Sequence, residues 1–141
     1  INRYNQKENN TEVAINQLKK NNYRIVATTP HTNQTELEEF DIYKGKAALV
    51  LGAEKRGVSD VVMDNADEFL KIPMFGFTES YNISVSAAIS LYHISTQLKK
   101  SAIEWQLTEQ EKDELLLEWL KKSIKKSELI IKDFLSKSKN I

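Results

Sequence analysis

Cysteine is absent from this chain of 141 residues, which excludes disulfides and cysteine-ligated zinc or iron–sulfur centres. Its two histidines, His31 and His93, lie far apart and show no metal-ligand spacing, so no metal is expected. Long hydrophobic runs are also missing. The longest strongly apolar stretch, residues 47–51, is far short of the roughly 20 residues a membrane helix needs. No secretory leader is visible, so no membrane association is expected and the cytosol is the simplest compartment. Net charge is missing too: 20 Lys and Arg balance 20 Asp and Glu, and the chain as a whole does not advertise a nucleic-acid partner. No G-x-G-x-x-G motif occurs, which argues against a Rossmann-type dinucleotide site. Internal repeats and low-complexity segments are likewise absent.

What is present suffices for one domain with a real core, at 40% hydrophobic residues. The charge is unevenly placed. Seven lysines between positions 121 and 139 face only Glu128 and Asp133, while residues 36–41 are acidic. Such a lysine-rich end is either a solvated helix face or part of a phosphate-contacting surface. The chain opens on Ile1 and a polar stretch to Asn10 without caps or period, so an upstream part is expected to be missing.

Asn10 or Thr11 can cap a helix through about Asn21, with Ala14, Ile15 and Leu18 on one face. Residues 23–28 are compact and β-branched and predict a buried strand. A short helix is expected over 35–40, a second buried strand over 46–51, a short helix capped by Ser59, and a third strand over 68–72 stopped by Pro73. A long helix over 83–100 follows. This alternation predicts α/β layers around a parallel sheet. After Lys100, Thr108 and Glu111 form a capping box that starts a new helix with Leu115, Leu116, Trp119, Leu120 and Ile124 on an apolar face. A further helix carries Leu129, Ile130, Ile131, Phe134 and Leu135. Both have more apolar surface than a free tail tolerates and are expected to pack on the domain or on a second subunit. Residues 1–100 therefore read as the core domain and 101–141 as a helical extension.

Ligands of open parallel sheets bind beyond the carboxyl ends of the strands. Three loops leave such ends here, at residues 28–30, 52–57 and 73–82, and together they are placed to surround one small ligand. Gly52 and Gly57 allow close backbone approach, or are ordinary turn glycines. Glu54 lies between them. Ser80, Asn82 and Ser84 are residue types that cap helix starts or aim polar atoms at a ligand.

The segment Ile72-Pro73-Met74-Phe75-Gly76-Phe77-Thr78-Glu79-Ser80-Tyr81-Asn82-Ile83-Ser84-Val85-Ser86-Ala87-Ala88, read with Leu51-Gly52-Ala53-Glu54-Lys55-Arg56-Gly57-Val58-Ser59, resembles the SpoU/TrmH family of SPOUT methyltransferases. The family pattern has leucine where Tyr81 stands, valine at Ile83 and alanine at Ser86. The resemblance covers residues 11–100 well and the C-terminal helices more loosely, and it is nearest to the type acting on guanosine in tRNA. It implies an α/β-knot: a parallel sheet flanked by helices, with a deep C-terminal trefoil knot, one of the rare exceptions to unknotted chains. Small residues at Ser84, Ser86, Ala87 and Ala88 suit a helix that packs tightly against backbone.

By this resemblance the cofactor is S-adenosylmethionine, and the reaction is methylation of an RNA ribose 2′-hydroxyl. Thr28, Gly52, Ile72 and Tyr81 take the places of cofactor-contacting residues, mostly through backbone groups. Glu54, Ser80 and Asn82 take the places of polar residues that shape the catalytic pocket. The family is dimeric, which implies a homodimer, with the helix over 83–100 and the C-terminal helices as the candidate interface. The arginine that activates the hydroxyl belongs to an earlier motif, and Arg3, Arg24 and Arg56 do not stand in it. Three readings stay open: an enzyme acting on a D-loop guanosine of tRNA, the same chemistry on ribosomal RNA, or a non-catalytic RNA-binding knot.

Overall fold

A computed structural model describes residues 3–5, 9–30, 35–53, 56–78 and 80–138. The chain divides into two compact units, Ile1–Ile103 and Glu104–Ile141.

In the first unit, helix α1 (Asn10–Lys20) leads into strand β1 (Arg24–Thr28). Ile15 is buried and Ala14 and Leu18 are half-buried, the face that the helical spacing predicts. The helix starts one residue beyond Asn9, whose side chain makes no cap bond. Asn21 ends it, and Asn22 takes a left-handed φ of 61° that turns the chain into the strand.

With β2 (Thr35–Glu36), β3 (Ala47–Val50) and β4 (Glu68–Lys71), β1 forms a sheet of order β2-β4-β1-β3, parallel throughout. β1 lies between them, so its residues are covered on both edges and both faces. Ile25, Val26 and Ala27 are completely buried. Their side chains alternate, as strand geometry requires. Ile25 and Ala27 meet Ile15 of α1 and Val62 of α2 (Asp60–Asn65) on one face. Val26 meets Leu37, Phe40 and Leu70 on the other, where Ile89 and Ile94 of α3 (Ile83–Lys100) close the layer.

The short helix expected over 35–40 is a composite. Thr35–Glu36 forms a two-residue edge strand, β2, paired with Leu70 and Lys71, and Leu37–Glu39 is one turn of 3-10 helix. A 3-10 turn brings residues three apart into line. Leu37 and Phe40, three apart, thus both reach the same core cluster. Ser59 stands at the N-cap position of α2 but its side chain makes no cap hydrogen bond.

The strands' amino ends are fixed by charge. The Arg24 guanidinium pairs with Glu68, lies 4.6 Å from the Phe40 ring centre, and donates to the Asp41 carbonyl oxygen. Asp67 accepts from the Ile25 amide at 2.7 Å and returns its own amide to the Ile25 carbonyl at 2.8 Å.

The second unit is a pair of packed helices, α4 (Glu109–Ser123) and α5 (Ser127–Ser138). Thr108 and Glu111 form the expected capping box, each side chain accepting from the other's backbone amide. Lys126, with φ 61°, turns the chain between the helices. Among the described residues, no helix is long and apolar enough to cross a membrane.

Candidate functional site

The carboxyl ends of β1, β3 and β4 surround a cavity of about 500 Å³ within the first unit. Because β3 and β4 flank β1 on opposite sides, the chain leaves the middle of the sheet in two directions there, and a crevice opens between the departing loops.

The end of β1 is clamped from both neighbours. The Thr28 hydroxyl donates to the Val50 carbonyl at 3.2 Å, and the Thr29 amide donates to the Leu70 carbonyl at 3.1 Å. Thr28, Thr29 and Pro30 line the cavity.

The second wall is a loop closed on itself. The Ala53 amide donates to the Gly57 carbonyl at 2.9 Å, and the Gly57 amide to the Ala53 carbonyl at 2.8 Å. This closure brings Gly52 against the returning strand. A Cβ on Gly52 would lie 2.2 Å from the Gly57 carbonyl carbon and 2.4 Å from the Val58 nitrogen. The close approach at Gly52 is therefore to its own chain. Gly57 supplies the other requirement of the turn, a φ of +65°. Gly52, Ala53, Arg56 and Gly57 all face the cavity. Glu54 lies outside the described residues.

The third wall starts where Pro73 stops β4 and ends where Asn82 starts α3. Ile72, Met74, Ser80 and Tyr81 line the cavity, followed by Ile83 and Ser86 from the first turn of α3. Asn82 is the N-cap: its side-chain oxygen accepts from the Ser84 amide at 2.9 Å, and its carbonyl accepts from Ser86. The structure thus brings Thr28, Gly52, Ile72, Ser80 and Tyr81 together around one space. It sets Asn82 beside that space as a helix cap. Of the small residues in α3, Ser86 and Ala87 are half-buried and Ser84 and Ala88 exposed, while Ser90 is fully buried.

Among the cavity residues to which the sequence reading gave no site role are its two cations, Arg56, within the expected loop over 52–57, and Lys71, at the end of β4. Lysine and arginine are ordinary surface residues, and only the register of β4 and the closure of the second loop turn these two toward a common space. Among the described residues that line the cavity there is no histidine and no carboxylate. The lining combines apolar walls (Leu51, Ile72, Met74), hydroxyls (Thr28, Ser80, Tyr81) and two cations. Such a lining binds and orients, and its described residues include no strong proton acceptor. Among the described residues, no group of acidic or histidine side chains gathers as a metal site.

A cavity of this size, partly apolar and edged by backbone groups, fits a nucleoside-sized ligand.

The sequence model of the SpoU rRNA Methylase family matches residues 2–92. A tRNA (guanosine(18)-2′-O)-methyltransferase of Borreliella burgdorferi is 41% identical over 124 residues, which are 88% of this chain and 56% of that protein. The solved structure of an Aquifex aeolicus TrmH/SpoU tRNA modifying enzyme superposes with a TM-score of 0.69 at 31% identity, covering 81% of this chain and 59% of the other. The SpoU methyltransferase AviRb of Streptomyces viridochromogenes, solved in complex with AdoMet, shares the fold with a TM-score of 0.57 at 22% identity, over 64% of this chain and 37% of the other. The chain spans 56% of the Borreliella protein, 59% of the Aquifex chain and 37% of AviRb, well under two thirds of each.

Proposed function

Because the chain belongs to the SpoU rRNA Methylase family, we propose that it carries the methyl-donor site of an S-adenosylmethionine-dependent RNA ribose 2′-O-methyltransferase. The observation that carries this reading is the single cavity formed by three loops at the carboxyl ends of adjacent parallel strands. The substrate is tRNA at a D-loop guanosine, a choice supported by the activity named for the similar Borreliella protein.

Residues 1–100 form the methyltransferase domain, with the loop over 73–82 and the start of α3 threaded as a trefoil knot. Residues 101–141 form the helical extension. The described lining fits S-adenosylmethionine in size and character. Thr28, Gly52, Ile72 and Tyr81 hold it, chiefly through backbone groups at strand ends. The bound cofactor supplies an electrophilic methyl group on a sulfonium. The chain's own part is to fix that group's direction, since an in-line displacement depends on alignment. Arg56 and Lys71 raise the positive potential at the mouth, which favours a phosphodiester and the developing negative charge on a ribose hydroxyl. Ser80 and Glu54 shape the acceptor side, and Asn82 positions Ser80 and Tyr81 by holding the start of α3.

The active species is a homodimer. One face of α3 exposes Val85, Leu91 and Tyr92, and the second unit exposes Leu116, Trp119 and Phe134. Patches of this kind mark association surfaces.

The test is a transfer assay with full-length protein, methyl-labelled S-adenosylmethionine, and unmodified tRNA and ribosomal RNA transcripts, followed by mapping of the labelled nucleotide. Label at a ribose 2′-oxygen of a tRNA D-loop guanosine is expected. Label on ribosomal RNA alone would replace the substrate assignment, and label on neither would favour a binding module.

A further inference from the structure

The loop whose two ends line the cavity carries two phenylalanines in its middle. Phe75 is 94% exposed and Phe77 108% exposed, as open as in an extended chain. Burying a ring of this size is normally worth about 1.5–3 kcal/mol, so leaving two of them in water two positions apart in one loop calls for a partner. Between them Gly76 takes a φ of +107°, a conformation that a side chain would strain. The backbone is thus shaped so that both rings stand off the domain. Met74 before them and Ser80 after them both face the cavity, which places the rings at its lip.

We propose that Phe75 and Phe77 form a stacking platform for RNA bases next to the ribose presented to the cavity. The inference rests on the methyltransferase reading and adds how the RNA is held. A base is favoured as the occupant by two observations. The only charged groups among the described lining residues are the cations Arg56 and Lys71, which suit a phosphodiester passing the same lip. Phe77, moreover, lies between Gly76 and Thr78, an isolated flat ring. Stacking on aromatic rings tolerates any base and needs only an open π-face. A ribose whose hydroxyl enters the cavity must leave its flanking bases outside, at the level of these rings.

The experiment uses the full-length protein with Phe75 and Phe77 each changed to Ala, Leu and Trp. Three measurements are made: affinity for an unmodified tRNA transcript, affinity for S-adenosylhomocysteine, and sedimentation. Alanine and leucine should weaken tRNA binding by roughly 5- to 100-fold per ring, tryptophan should retain it, and cofactor affinity and sedimentation should stay as in the parent. Unchanged tRNA affinity in the alanine variants overturns the platform. So does full rescue by leucine, which would mean apolar contact without stacking. A smaller sedimenting species in the alanine variants also overturns it, since the rings would then join two copies of the chain. Loss of tRNA binding in the alanine variants of a parent that binds tRNA but not S-adenosylhomocysteine would keep the platform and remove the methyltransferase reading.

Discussion

Replacing Gly52 by alanine tests whether the second cavity loop is built as described. The added Cβ would lie 2.2 Å from the Gly57 carbonyl carbon, 2.4 Å from the Val58 nitrogen and 2.6 Å from the Gly57 oxygen. All three are backbone atoms and cannot swing aside as a side-chain end would. Relief requires opening the Ala53–Gly57 closure, with loss of its two hydrogen bonds. At roughly 1 kcal/mol each, stability should fall by about 2 kcal/mol, a shift of roughly 5–10 °C in Tm. Gly57→Ala is the internal control. Nothing lies within 4 Å of its added Cβ, and its cost is only that of a left-handed φ, about 1 kcal/mol. Urea unfolding of both variants without ligand, followed by calorimetry with S-adenosylhomocysteine, makes the comparison. Gly52→Ala should be the less stable and should lose at least tenfold in affinity. Parental stability combined with lost affinity would refute the reasoning, because the Cβ would then be meeting the ligand and not the chain.

The helix cap at Asn82 predicts that Asn82→Ala lowers stability by about 1 kcal/mol and that Asn82→Ser restores it; identical urea midpoints for all three proteins would contradict the cap. Glu68→Ala leaves the Arg24 guanidinium in a site where both side chains are only 12% exposed, and should cost about 3 kcal/mol. The joint Arg24→Met, Glu68→Leu change should cost much less, and equal losses in a chemical melt would deny that the pair is coupled. Leu116→Asp with Trp119→Asp should convert a sedimenting dimer into a monomer; an unchanged sedimentation coefficient would move the interface away from α4.

The three strands over 24–28, 47–50 and 68–71 were legible because short runs with apolar centres (Ile25-Val26-Ala27, Ala47–Val50, Phe69-Leu70) are bracketed by residues that stop them: Asn22, Gly45, Gly52 and Pro73. The capping box at Thr108 carries its meaning in four residues and needs no tertiary context. The edge strand at Thr35–Glu36 was not legible. It is two residues long and exists only through pairing with Leu70 and Lys71, some 35 positions away. The Leu37–Phe40 spacing suits an α-helix and a 3-10 turn equally, and only the core beneath them decides. The candidate site shows the same division. Gly52 signals a close approach, but its target is the returning chain at Gly57 and Val58, set by hydrogen bonds that no local pattern encodes. Arg56 and Lys71 share a space only when the second loop meets the end of β4.

The most direct test of the central claim is a crystal structure of the full-length protein with S-adenosylhomocysteine. The ligand should lie between the chain ends at Thr28, Gly52 and Ile72, with Tyr81 beside it and the closed Ala53–Gly57 loop as one wall. Ligand bound elsewhere, or an empty cavity at a concentration that calorimetry shows to be saturating, would contradict the account.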